Sequence, residues 1–376
     1  MMISARPKRS PYMEWAKTRS HAKYNLATSG LAGVPRQEFP LDLGKLEITA
    51  PGGYGYAPLQ QRLAEHCGVP EECVVASAGT SMANHLAMAA ILEPGDEVLV
   101  EQPAYGPLLD VANYLGVRVK RLRRRFEARF AVGLDELQRA ITTSTRLVVL
   151  TNLHNPSGAL LSAEMLQAIG KLALRAGVRV LVDEVYIEML FARPAPFCFP
   201  IGKAIAGVHE NPFLVTSSLT KVYGLSGLRC GWILAAPDLA RRMWLLNDLF
   251  AATGAHPAER LSAMVLEHLE QFRERARALL TTNRALLDSF LDSRGDLECF
   301  RPPAGTVVFP RLRLRLTRRD PEAFFKLLRE KYETTVVPGR FFEMPRHFRI
   351  GIGGDTATLR AGLERLGAAL DAFAKQ

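Results

Sequence analysis

The chain of 376 residues is poor in cysteine, in acidic charge and in long apolar runs. Its five cysteines, Cys67, Cys73, Cys198, Cys230 and Cys299, are an odd set with no Cys-x-x-Cys spacing. That argues against a disulfide framework or a zinc site and for reduced thiols. No apolar run approaches the roughly 20 residues of a membrane-spanning helix, so no membrane association is expected. Met1 to Arg9 is basic, but no apolar signal core follows, so a cytoplasmic location is expected. Lys and Arg outnumber Asp and Glu by 48 to 38, a net charge of +10. Such a surplus suits nucleic acid or anionic small ligands. The densest basic run, Lys120-Arg121-Leu122-Arg123-Arg124-Arg125, has no nucleic-acid motif beside it. It reads as a solvated strand end and loop, and no nucleic-acid partner is expected.

What is present is ordinary for a globular protein, with 48% hydrophobic and 23% charged residues. The length suggests two domains, one of them large. From residue 73 to 235 short apolar runs alternate with helical patterns. Cys73–Ser77, Glu97–Val100, Leu147–Thr151, Val180–Val182, Phe213–Val215 and Cys230–Leu234 read as strands. The alternation predicts an α/β domain with a parallel or mostly parallel sheet, whose ligands sit at the carboxyl ends of the strands. Helices are expected at about 59–67, 82–92 and 162–175, and at 356–374 near the C-terminus. Pro257 to Asp292 reads as a long helix broken near Thr281-Thr282-Asn283, and residues 1–40 as an arm with little periodicity.

The stretch Ser217 to Trp232 organises the chain. Lys221 follows the apolar strand Phe213-Leu214-Val215, among small hydroxyl residues, with Gly224, Gly227 and Arg229 after it. A lysine at such a strand end can be desolvated, which lowers its pKa and makes the amine a nucleophile able to form Schiff bases. Ser218 and Arg229 suit an anchored phosphate, as a hydroxyl donor and a fork of fixed charge. Upstream, Ala78-Gly79-Thr80-Ser81 joins a strand to a helix N-terminus, a turn that binds anions through backbone N–H groups and the helix dipole. Asp183, directly after a buried strand, needs a partner if it is to stay ionised.

Ser-x-x-Lys followed by Gly-Leu-x-Gly-x-Arg-x-Gly resembles the cofactor-lysine signature of the fold-type-I aminotransferases, enzymes of pyridoxal 5′-phosphate (PLP). The resemblance to class I/II aminotransferases covers nearly the whole chain. It implies a large domain with a mostly parallel seven-stranded sheet flanked by helices, plus a smaller α/β domain. The arm 1–40 would join the small domain, 41–275 would form the large PLP-binding domain, and 276–376 the small C-terminal one. Lys221 would hold PLP, and Gly79, Thr80, Ser81, Ser218 and Arg229 its phosphate. Tyr105 would stack on the cofactor ring. Asn155, in Asn-Pro-Ser-Gly, and Tyr186 would donate to the 3′-oxygen, and Asp183 would keep the pyridine nitrogen protonated. Arg349, with Asn155 beside it, would bind the substrate α-carboxylate. Asn25 to Gly30 is either a plain turn or a segment folding over the substrate through Ser29 and Gly30. His154 reads as loop structure.

Many relatives reach a partner subunit's phosphate with a tyrosine where this chain has Ala50. Tyr54 or Tyr56 would substitute for it, or pack at an interface. The implied reaction moves an amino group between an amino acid and a 2-oxo acid in a homodimer, with Lys221 as general base and acid. Asn-Leu-His-Asn-Pro-Ser-Gly and Gly-Thr-Val-Val-Phe-Pro also resemble stretches of capreomycidine synthase, a PLP enzyme that eliminates and cyclises. Carbon–sulfur lyases share the framework. A regulator of this type would carry an added helix-turn-helix domain, and only about forty residues precede the fold.

Overall fold

The computed structural model describes residues 6–39, 44, 46–49, 52–191, 197–313 and 320–375. Seven strands form the main sheet: β1 (Val74–Ala78), β2 (Glu97–Gln102), β3 (Arg118–Arg123), β4 (Thr145–Thr151), β5 (Arg179–Asp183), β6 (Phe213–Ser218) and β7 (Cys230–Leu234). Their order is β1-β7-β6-β5-β4-β2-β3. All neighbours run parallel except β7, which is antiparallel to both β1 and β6. Alternation explains why both faces are covered. Val148, Leu150, Val180, Val182 and Val215 enter one apolar core, while Leu147, Val149, Leu181 and Leu214 enter the other. The carboxyl ends of β1, β4, β5 and β6 therefore share one edge of the sheet, and that edge carries the site.

Helix α1 (Pro11–Thr18) lies in the arm, where no element is expected from the sequence. Ser10 caps it by accepting from Met13 N, Pro11 starts it, and Tyr12 and Trp15 are buried three residues apart. After α1, Tyr24–Asn25 pairs parallel with Thr334–Thr335, which fastens the arm to the C-terminal third. Helix α2 (Thr80–Ala89) starts at Gly79, which adopts φ 80°.

The long helical region breaks at His268, between α3 (His256–Glu267) and α4 (Leu269–Asp292), and not at Thr281–Asn283. The Thr281 and Thr282 hydroxyls bond back to the carbonyls of Arg277 and Ala278, so they leave the helix intact. Asn283 points inward and donates to Ile352 O and Gly354 O. In the C-terminal third, β8 (Val307–Val308), β9 (Val337–Pro338) and β10 (Phe348–Gly351) form a three-stranded antiparallel sheet with β10 in the centre. Helix α5 (Thr356–Lys375) follows it. Among the described residues, no helix is long and apolar enough to cross a membrane.

The basic run is the end of edge strand β3 and the residues just after it, with Lys120, Arg123 and Arg125 exposed as expected, and its charged rim discourages further strand pairing. Lys120 pairs with Glu97 at 3.0 Å and Arg121 with Glu343. Arg124 is the exception, fully buried, bonding Glu101 at 2.6 Å and donating Nε to Phe130 O. The sequence reading fails there because Glu101, 23 positions away, becomes a neighbour only once β2 and β3 pair.

Candidate active site

The strand ends border a cavity of about 540 Å³ lined by Thr80, Ser81, Asn84, Tyr105, Thr151, Asn155, Asp183, Tyr186, Ser218, Lys221 and Arg229. Met13 and Lys17 of α1 also line it. Gly79, Ser29, Gly30 and Arg349 stand just behind this lining. A Cβ on Gly79 would collide with the Arg229 guanidinium, which donates to Ala78 O at 3.1 Å. A Cβ on Gly30 would touch the Lys221 stem at 3.4 Å.

One end of the cavity is built for an anion. The N-terminus of α2 opens there, Ser81, Ser218 and Arg229 surround it, and the buried Thr80 hydroxyl has no hydrogen-bond partner among the described residues. The other end holds Asp183, buried at 4% exposure. Its Oδ1 accepts from Val185 N at 3.1 Å and its Oδ2 from Asn84 Nδ2 at 2.9 Å. Burial raises this carboxyl to about 6, against the pull of Asn84, Val185 N and Lys221. An anion cradle, a carboxylate and a lysine on one cavity fit PLP, with its phosphate, ring nitrogen and aldehyde respectively.

Lys221 donates to Ser29 Oγ at 3.1 Å. Burial, then Arg349 and Arg229, push its amine down to about 8, while Asp183 opposes them. The Tyr186 phenol is raised to about 12, chiefly by burial. Tyr105 is raised by the same cause and meets Tyr12 edge-on at 5.5 Å between ring centroids. Glu184, the next residue after Asp183, is turned away and accepts from Phe197 N and Cys198 N.

Arg349 is wholly buried and makes three hydrogen bonds: Nη1 to Asn155 Oδ1 at 2.9 Å, Nη2 to Tyr12 Oη at 2.9 Å and Nη2 to Ala27 O at 3.0 Å. All three acceptors are neutral, and its Nε has no partner among the described residues. His154 is also buried, held between Ser157 Oγ and Pro103 O, as loop structure. Tyr56 packs inside the chain, edge-on to His256 and accepting from Arg260. Tyr54 is exposed and donates to Asp248. Ala50 lies outside the described residues.

The lining residues that the sequence does not mark as site residues include Asn84, Thr151, Met13 and Lys17. Asn84 lies five positions after Gly79 inside a helix, and no local pattern marks it. Thr151 ends β4 and carries a relay in which its hydroxyl donates to Glu101 and accepts from Asn155 N.

The family profile described as "Aminotransferase class I and II" matches residues 46–366. Capreomycidine synthase from Streptomyces vinaceus is 29% identical over 97% of this chain and 95% of its own length. Arginine–pyruvate transaminase from Pseudomonas aeruginosa is 29% identical over 83% and 80%. A PLP-dependent aminotransferase from Streptococcus suis shares the fold with a TM-score of 0.87, covering 98% of this chain and 99% of its own at 23% identity. The profile spans most of the chain and the cavity fits the cofactor, so the chain belongs to the class I and II aminotransferase family, with PLP as its cofactor.

Proposed function

We propose that the protein is a PLP-dependent aminotransferase that moves an amino group from an amino acid to a 2-oxo acid. Arg349 carries the amino-acid substrate in this reading, and the family profile over residues 46–366 supports amino transfer. A buried guanidinium with only neutral acceptors is an uncompensated charge, and a substrate carboxylate would neutralise it through a bidentate pair. Arg124 is the internal contrast, because its equally buried charge already has Glu101.

PLP supplies an electron sink for the bond broken at the substrate α-carbon. The chain's own residues do the rest. Thr80, Ser81, Ser218 and Arg229, with the Gly79 turn, would hold the phosphate. Asp183 would hold the ring nitrogen, Tyr105 would pack on the ring, and Asn155 and Tyr186 would donate to its 3′-oxygen. Lys221 Nζ, pushed down to about 8, would take the α-proton as general base and deliver it as general acid to C4′ of the cofactor. Arg349 with Asn155 orients the α-carboxylate, and Ser29 and Gly30 close over the lysine side.

The test is a screen of amino donors without an acceptor. Conversion of the cofactor to its pyridoxamine form, with a 2-oxo acid identified by mass, is the expected result. A second reading is elimination or cyclisation, favoured by the near full-length likeness to capreomycidine synthase. A donor consumed while the cofactor remains PLP, with a cyclic or eliminated product, would select that reading and overturn transamination.

The proposal includes a homodimer in the cytoplasm. Ile48, Leu249, Tyr54, Phe250 and Leu245 are exposed at 83%, 78%, 52%, 50% and 49%, and the proposal puts the interface at the stretch that holds Leu245, Leu249 and Phe250. Leu249→Glu should therefore lower the mass found by sedimentation to that of one chain, and an unchanged mass would move the interface elsewhere. All five cysteines are free, in keeping with a reducing compartment. The division into a large and a small domain belongs to the same proposal. Its expected boundary at residue 275 falls inside the continuous helix α4.

A further inference from the structure

We propose that Asn84, oriented by Thr216, is a positioning residue that keeps Asp183 ionised toward the ring nitrogen of the cofactor. The inference rests on the assignment of Asp183 to that nitrogen. Asn84 is 4% exposed and sits on α2, the helix whose N-terminus faces the phosphate end. Its Nδ2 donates to Asp183 Oδ2 at 2.9 Å, and its Oδ1 accepts from Thr216 Oγ1 at 2.7 Å. Thr216 lies directly across from Asp183 in the β5–β6 register and is fully buried. The carboxylate, which can only accept, selects the NH2 end of the amide, and the hydroxyl anchors the oxygen end. A flipped amide would aim its oxygen at an anion and leave the hydroxyl to accept instead of donate.

The consequence follows from where the proton sits between two groups. A carboxylate and a pyridine nitrogen share it either as an ion pair, with the proton on nitrogen, or as a neutral pair, with it on oxygen. Burial favours the neutral pair. A donor aimed at the carboxylate stabilises only the anion and so favours the ion pair. Each Asp183 oxygen has one such donor, Val185 N on Oδ1 and Asn84 on Oδ2. The backbone donor is permanent, so Asn84 is the adjustable one. Of the other ionisable groups around Asp183, Lys221 favours the anion, whereas the Tyr105 and Tyr186 phenols stay neutral. Glu184 is turned away onto the N–H groups of Phe197 and Cys198.

The experiment reconstitutes the holoenzyme with PLP carrying nitrogen-15 in its ring. The nitrogen-15 chemical shift reports directly whether that nitrogen is protonated, with no substrate present. Wild type should show the protonated shift near neutral pH. Asn84→Ala should move it toward the unprotonated position, the preference for nitrogen falling by about tenfold or more, as expected for loss of a charge-assisted bond. Thr216→Val, nearly isosteric, should move it the same way by less, and Thr216→Ser should restore the wild-type shift. Thr216→Val also supplies the answer should Asn84→Ala fail to retain cofactor. A protonated shift unchanged in both Asn84→Ala and Thr216→Val would overturn the inference. An unprotonated wild type would instead overturn the role of Asp183 itself, and this inference with it.

Discussion

At Arg349 the decisive quantity is charge, not contact number. Three hydrogen bonds satisfy much of the guanidinium geometry, yet no carboxylate among the described residues answers its charge. Removing it should therefore harm substrate binding more than cofactor binding. Arg349→Ala should weaken amino-donor binding by about ten- to a hundredfold, the loss of roughly 1.5–3 kcal/mol for a charge-assisted pair. Arg349→Lys should fall between, because it restores charge without the planar fork. Spectral titration of the bound cofactor measures both. If Arg349→Ala loses PLP, or binds donors like wild type, the residue is structural. Lys221 permits an equally direct check. Borohydride reduction should fix the cofactor to the chain, and peptide mapping should find it on Lys221, the amine that burial pushes down to about 8. A label on another lysine removes the centre of the site.

At the scale of elements, helix α4 shows how one sequence signal can be read two ways. Thr281-Thr282-Asn283 looks like a helix breaker, because these residues compete for backbone hydrogen bonds. In the fold the two threonines are exposed and bond back along the helix, while Asn283 crosses to the segment after β10. Asn283→Ala would strand two carbonyls, Ile352 O and Gly354 O. It should destabilise the holoenzyme by about 1–3 kcal/mol or more. Thr281→Ala on the exposed face should stay within about 0.5 kcal/mol of wild type, because alanine is the better helix former. Urea denaturation of the two variants ranks them, and equal midpoints would refute the assignment of Asn283 as a clasp. Helix α1 fails as a sequence signal for another reason. At 8 residues it is too short to be stable alone, and tertiary packing, chiefly of Tyr12 and Trp15 against Tyr105, Phe341 and Phe342, holds it.

For the molecule as a whole, the buried acids set a pH dependence. Glu184 is raised from the ordinary carboxylate range to about 7, chiefly by burial. An acid raised in the folded state holds its proton more tightly there than in the unfolded chain. Its contribution to stability is thus fully present below the unfolded value, near 4.5, and is lost as pH rises toward 7. Asp183, raised to about 6 in the cofactor-free protein, acts in the same direction. Apart from a constant offset, Glu184→Gln should gain on wild type by about 2–3 kcal/mol across that window. Thermal midpoints of the two cofactor-free proteins between acid and neutral pH check this. Parallel curves would mean that Glu184 titrates as it does in the unfolded chain.

The sequence by itself determined that the sheet is mostly parallel and marked many of the polar residues that line the cavity. Short apolar runs alternating with helical patterns bury themselves as a mostly parallel sheet, in which β7 alone runs antiparallel to its neighbours. Lys221, Asp183, Asn155, Ser218 and Thr80 were legible because they stand at strand ends and turns, where backbone geometry and chemistry coincide. Tertiary structure alone decided the partners. Asn84 faces Asp183 across 99 positions, Arg349 meets Tyr12 across 337, and Arg124 finds Glu101 only through strand pairing. The reason is physical. Burial turns a polar residue into one that must have a partner, but which partner it meets depends on how helices and strands pack, and no local spacing encodes that.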